Sequence, residues 1–211
     1  MISIILGTFN SIHNIENLIE NVLENDEDLE LVIVDGGSND GTVEFIKSIQ
    51  SNKLKLIEYG KKSSYPSFMN LAIKNSSHDF ICQWNADAIL INSRSEIIDS
   101  ITNEKYDFYI FNWKLAAKIS DMNDETWVQG DSKIDGWYLE DKTEDGGVLT
   151  MNYGVYKKEL FTKISKADMI DKDGGFFKFT WDRVIMYPMV EMAGKEHFKP
   201  INKIQYVYNR E

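Results

Sequence analysis

One pattern narrows the fold more than any other: over the first 90 residues, short apolar runs alternate with stretches of helical periodicity. Ile2–Leu6 is an apolar run of the kind that forms a buried strand, and Gly7–His13 breaks it with Gly, Thr, Asn and Ser. Ile15, Leu18, Ile19, Val22 and Leu23 then fall on one helical stripe. Leu29–Val34 is a second buried strand, closed by the turn cluster Asp35-Gly36-Gly37-Ser38-Asn39-Asp40-Gly41. Val43, Phe45, Ile46 and Ile49 carry a second helix, and Leu54–Ile57 a third strand. After a polar loop at Tyr59–Ser64, Pro66 suits the first turn of a third helix, with Phe68, Leu71, Ala72 and Ile73 as its stripe. Asp79–Trp84 is a fourth strand. Such alternation predicts right-handed βαβ units and a parallel sheet with helices on both faces. In such sheets ligands sit beyond the carboxyl ends of the strands. Thr8-Phe9-Asn10, Asp35 to Gly41, and Asn85 to Asp87 each follow a strand, so parallel pairing brings all three to one rim.

The rest is less regular. Ser93–Ile101 reads as helix and Tyr106–Trp113 as strand, with an irregular stretch over 114–148. Nine acids crowd 121–145 against Lys133 and Lys142; a long insert of this kind is usually functional or mobile. Val148–Val155 suits a strand, Trp181–Met192 a helix that Pro188 bends or ends, and Lys203–Tyr208 a closing strand. With no repeat and no linker-like shift, 211 residues read as one domain.

Composition excludes several functions. Thirty-four acids against 23 bases give a net charge of −11, which argues against a nucleic-acid-coating face and against a polybasic membrane patch. No run approaches membrane-spanning length, and Met1–Leu6 is too short and uncharged for a signal peptide. Cys82 is the only cysteine, so an internal disulfide and a cysteine zinc cage are out, and a reducing cytoplasm fits. His13, His78 and His197 are too scattered for a histidine metal site.

The three clusters have both plain and chemical readings. Gly36 and Gly41 have phosphate-loop spacing, but no lysine precedes Thr42, and there is no Gly-x-Gly-x-x-Gly. What is left is Asp35 at a strand end, then a turn into a helix. It is either an ordinary turn with Asp40 or Thr42 as N-cap, or a carboxylate placed to accept hydrogen bonds from a base or ribose. Asn85 and Asp87 alternate in an extended segment and so point the same way. They close the strand as an Asx-turn, or offer oxygen ligands to Mg²⁺ or Mn²⁺. Asp182, among aromatics at a helix start, is an N-cap or a desolvated proton acceptor, and its neighbour Arg183 opposes a large upward pKa shift.

Taken together these residues resemble family-2 glycosyltransferases of the GT-A fold. Ile2-Ser3-Ile4-Ile5-Leu6-Gly7-Thr8-Phe9-Asn10 is similar to the family's opening strand and loop. Val34-Asp35-Gly36-Gly37-Ser38-Asn39-Asp40-Gly41-Thr42 is close to its second motif. Met69-Asn70 resembles the segment before the metal motif, and Trp84-Asn85-Ala86-Asp87-Ala88 resembles the Asp-x-Asp motif itself. Phe179-Thr180-Trp181-Asp182 falls where the family places its catalytic aspartate, and Glu191-Met192-Ala193-Gly194 through Tyr206-Val207-Tyr208-Asn209 is similar to its closing segment.

The resemblance implies a Rossmann-like, mostly parallel sheet flanked by helices, with 1–90 as the nucleotide-sugar half and 91–211 as the acceptor side. It implies an inverting transfer from a nucleotide sugar, by default a UDP-sugar, to an acceptor hydroxyl. Thr8, Asn10, Asp35, Asn70 and Asn85 would bind the nucleotide, Asp87 a divalent cation (Mn²⁺ or Mg²⁺), and Asp182 would take the acceptor proton. Lys61 and Lys62 would add positive charge near the phosphates. The acceptor is a glycan, a glycolipid or another hydroxyl compound, with a nucleic acid disfavoured by charge; the location is cytoplasmic or peripheral at a membrane.

Four departures stand out: Leu6-Gly7 in place of Ile/Val-Pro, Asn85 in place of the first carboxylate, Ala88 in place of a second Asp, and Trp181 in place of a small or acidic residue. Asn85 and Ala88 favour an alternative, an inactive nucleotide-sugar-binding module. A sugar nucleotidyltransferase is a further alternative, but Gly7–Ser11 lacks the Gly-rich basic loop it needs.

Overall fold

A computed structural model describes residues 2–23, 29–60, 65–85, 88–90, 101, 105–116, 128–130, 154–177 and 181–209. The first half follows the predicted alternation. Strands β1 (Ile2–Thr8), β2 (Leu29–Asp35), β3 (Leu54–Glu58) and β4 (Phe80–Asn85) pair in parallel in the order β3-β2-β1-β4. Helices α1 (Ile12–Leu23), α2 (Thr42–Ser48) and α3 (Tyr65–Asn75) supply the crossovers. Each strand runs slightly further than its apolar run, because main-chain pairing continues into the polar residue at its end.

The second half turns the sheet mixed. Beyond it come β5 (Ala88–Leu90), β6 (Phe108–Ala116), β7 (Val128–Gly130), β8 (Gly154–Lys157) and β9 (Phe198–Asn209). The order continues from β4 as β8-β6-β9-β5, with β7 on β6, and β4–β8, β6–β8, β6–β7 and β5–β9 are antiparallel. The structure sharpens three expectations. Residues 114–148 are not wholly irregular, since β6 runs to Ala116 and β7 pairs with it. The strand expected at Val148–Val155 is β8, from Gly154 to Lys157; residues 148–153 lie outside the described residues. Pro188 does not end its helix: α5 runs from Trp181 to Ala193, with a shorter α4 (Lys158–Thr162) before it. Nearly all of the expected Ser93–Ile101 helix lies outside the described residues.

Alternation along each strand splits the core in two. Ile2, Ile4, Leu6, Leu31 and Ile33 pack beneath α1 and α2, against Ile15, Leu18, Ile19 and Ile46. Ile5, Val32, Val34 and Ile81 face the other way, beneath α3 and α5, against Met69, Ile73, Ile185, Met186 and Met189. Helices clamped on both faces fix the strand ends, and with them the rim.

The amino ends of the strands, opposite the rim, are locked by a buried carboxylate. Glu30 accepts from Ser3 Oγ at 2.5 Å and from the Ser77 amide, and pairs with Lys55 Nζ at 2.7 Å. Burial pushes its carboxyl up, but the bonds from Lys55, Ser3 and Ser77 outweigh that and hold it at about 2. The folded value lies below the ordinary 4.5, so protonation favours the unfolded chain. Glu30 therefore adds its full contribution, about 3 kcal/mol, above pH 4.5, and loses it as pH falls toward 2. In urea unfolding, Glu30→Gln is expected to differ from wild type at pH 7 and to converge with it by pH 2–3.

Candidate active site

The rim is built where β1, β2 and β4 end together. Thr8 is the register partner of Asp35, and Gly7 that of Asn85. By strand alternation Thr8 and Asp35 lie on the α1/α2 face, and position 85 lies with Gly7 on the other. The site therefore straddles the top of the sheet.

Asp35 organises the turn that follows it. Its Oδ2 accepts from the Gly37 and Ser38 amides at 2.8 and 3.0 Å, and its Oδ1 from Ser38 Oγ at 2.5 Å. The carboxylate is only 2% exposed. Gly37 at φ 92° and Gly41 at φ 96° make the left-handed steps that carry the chain round it. Gly41 is the N-cap residue of α2, where Asp40 or Thr42 was expected. Asp40 acts from one position earlier: its Oδ1 accepts from the Thr42 amide and hydroxyl at 3.1 and 2.6 Å.

The two rim loops are laced together. Asn10, in the left-handed region at φ 51°, donates its amide to Ser38 Oγ at 2.8 Å and accepts from the Asn39 amide at 2.9 Å. Ser11 N donates to Thr42 Oγ1 at 3.0 Å, and Ile12 N to Asp40 Oδ2 at 3.1 Å. Asn10 is thus first a brace between loops, with its side-chain oxygen already committed. Thr8 is the reverse case: it is buried, and its hydroxyl has no hydrogen-bond partner. An unpartnered buried hydroxyl beside a fixed carboxylate is costly in a closed core, but suits a strand end that takes a polar ligand.

Phe9, which residue-level reasoning left without a role, is the exposed aromatic of this rim. It is 48% exposed, and its ring lies 3.6 Å from where a Gly36 Cβ would stand. A large apolar residue inside a polar loop is the sequence signal that marks it. Asn70 stands apart: it is exposed in the middle of α3, and among the described residues no hydrogen bond joins it to the rim.

Asn85 ends β4 within the sheet, and Asp182 lies in the first turn of α5, which packs on it. Asp87, Lys61, Lys62 and the acids of 121–145 lie outside the described residues. Among the described residues no three His, Cys, Asp or Glu gather as a metal site, and no helix is long and apolar enough to cross a membrane.

Comparison with known proteins agrees with this geometry. The family model for glycosyl transferase family 2 matches residues 3–157. The poly-β-1,6-N-acetyl-D-glucosamine synthase of Staphylococcus aureus is 30% identical over 182 residues, 82% of this chain and 43% of its own length. The chain thus spans less than half the length of the curated relatives it matches. Among solved structures, S. aureus TarS 1-349 in complex with UDP superposes at a TM-score of 0.69 with 16% identity, over 99% of this chain and 60% of that one. Glucosyl-3-phosphoglycerate synthase from Mycobacterium tuberculosis, in complex with Mn²⁺, UDP and glucosyl-3-phosphoglycerate, does so at 0.63 with 12% identity, over 100% and 72%. These neighbours establish the GT-A fold.

Proposed function

This chain belongs to glycosyl transferase family 2, and from that premise we propose that it moves a sugar from a UDP-sugar to an acceptor hydroxyl, inverting the anomeric centre. The observation that carries the reading is the Thr8–Asp35 pair: a buried, unpartnered hydroxyl beside a buried carboxylate, at the ends of adjacent parallel strands. Base and ribose present the donors and acceptors that such a pair recognises. UDP in the complexes of TarS and of glucosyl-3-phosphoglycerate synthase supports uridine as the base.

In this reading residues 1–90 form the donor half and 91–211 the acceptor side of one domain. Thr8, Asn10 and Asp35 hold the nucleoside, with Asn70 and Asn85 toward the sugar and phosphates. Asp87 supplies one carboxylate to Mn²⁺ or Mg²⁺. A hard cation held by so few protein oxygens would take the rest from phosphate and water. When bound, the ion neutralises charge on the leaving diphosphate. Asp182 accepts the proton of the acceptor hydroxyl, whose oxygen attacks the anomeric carbon as the bond to the diphosphate breaks. The acceptor is a neutral hydroxyl compound, free or presented at a membrane surface that the protein meets peripherally.

Thermal unfolding with UDP, with and without Mn²⁺, tests the donor site. At 100 times the dissociation constant UDP adds about 2.7 kcal/mol, a rise of about 5–10 °C for a domain of this size. The rise is expected to need Mn²⁺ and to shrink in Asp87→Ala. Absence of any shift with UDP or other nucleoside diphosphates would overturn the donor reading. Asn85, in place of a carboxylate, favours a second reading, a binding module that holds the nucleotide without turnover. Slow release of sugar from the bound donor separates the two, since only the transferase hydrolyses it.

A further inference from the structure

The core between the sheet and α5 contains side-chain polar atoms with no hydrogen-bond partner among the described residues. Gln83, on β4, is wholly buried, and neither its Oε1 nor its Nε2 has a hydrogen-bond partner. The Tyr156 hydroxyl, on β8, is in the same condition. Tyr156 is the register partner of Ile81, and Gln83 lies two residues further along β4, on the same face. They are diagonal neighbours on adjacent strands, about 7–8 Å apart at the backbone and within reach for two long side chains.

Most of their surroundings are apolar. The apolar side chains of this core, among them Ile5, Phe68, Ile185, Met186 and Met189, bring only carbon and thioether sulfur. Burial raises the Tyr156 hydroxyl well above its usual pKa, so it keeps its proton and can donate. The described β4–β8 pairing ends at Cys82–Val155, one residue short of Gln83. The orphaned atoms therefore sit at the seam where the parallel half of the sheet joins the half that carries α5. The donors and acceptors of a carboxamide and a hydroxyl on one face match a water molecule, which takes two to four such partners.

We propose that the Gln83 carboxamide and the Tyr156 hydroxyl hold one buried water across the β4–β8 seam, and that Gln83 thereby acts as a positioning residue for the rim end of β4, where Asn85 stands. The water site depends only on the fold; the positioning role rests on the donor reading above. A crystal structure that resolves waters is expected to show one within about 3 Å of both side chains. Gln83→Met keeps volume, and Tyr156→Phe keeps shape. With the water present, each change strips it of a partner and lowers the melting temperature by about 2–4 °C, and the double variant falls no further than the worse single. A dry gap, a direct Gln83–Tyr156 hydrogen bond, losses that add, or a rise in melting temperature would overturn the water site.

Positioning has its own readout. At a temperature where all variants are folded, Gln83→Met is expected to weaken UDP binding by about threefold or more, a change of about 0.6 kcal/mol. Ile19→Val, in the opposite core and with a similar melting loss, is expected to leave UDP affinity unchanged. Equal UDP affinity in Gln83→Met and wild type would confine the water to a structural role and overturn the positioning. A wild-type protein that binds no UDP counts against the donor reading instead, and the crystallographic and melting tests still decide the water.

Discussion

Asp35→Ala is expected to abolish measurable UDP binding, a loss of at least about 100-fold, and to lower stability by about 2–4 kcal/mol. The two effects come from the same carboxylate by different routes. Stability falls because the Gly37 and Ser38 amides and the Ser38 hydroxyl lose their common acceptor beside a nearly closed strand end. Binding falls because the turn they shape carries Ser38 and Asn39, which brace Asn10 on the neighbouring loop, and with it the mouth of the site. Asp35→Asn separates the routes. Its amide oxygen still accepts from one backbone N–H, so stability returns to within about 1 kcal/mol of wild type, while UDP affinity stays about tenfold down. Calorimetric titration and urea unfolding read the pair. A folded Asp35→Ala that binds UDP as wild type does would remove Asp35 from the donor site.

Asp182→Asn is expected to lower turnover by about 10²–10⁴-fold while leaving UDP affinity intact. An amide keeps the shape of the carboxylate but accepts no proton, so the change isolates proton transfer from packing. The position is anchored from below: one turn further along α5, Ile185 and Met186 are fully buried against the sheet. The loss should appear in kcat, with KM for the donor little changed, because the base acts on the acceptor oxygen and not on the nucleotide. Initial rates on a panel of UDP-sugars, with neutral hydroxyl acceptors and with water alone, make the measurement. Wild-type turnover would assign the base elsewhere, and a loss confined to UDP binding would place position 182 in the donor site.

Much of the donor half was legible in the residues. Ile2–Leu6 and Leu29–Val34 are too apolar to lie anywhere but inside a sheet, and the helical stripes between them require crossovers, so parallel pairing and a common rim follow. Asp35 was legible for the same reason: a carboxylate directly after a buried strand must lie at the strand's end. The second half was harder to read. β8 and β7 are four and three residues long, too short for a period to declare itself, and each exists because an edge of β6 needs partners. Pro188 left two outcomes open, a bend or an end, and the helix runs through it: burial of Met186, Met189 and Val190 on either side outweighs the lost bond.

The sequence by itself determined the order of strands and helices in the first 90 residues, the polar clusters at the strand ends, and the family those clusters resemble. Only the tertiary structure decided what each polar atom does. Asn10 became a brace between loops because Ser38 and Asn39 come within reach, whereas Thr8 kept an open hydroxyl because none of the described residues reaches it. Gln83 became an orphan because its side chain packs among apolar neighbours and meets no polar partner among the described residues. Local patterning fixes which face a residue takes, since that depends on a period of two or 3.6 residues. Whether a buried polar atom is satisfied depends on residues dozens of positions away, and that is settled only when the chain packs.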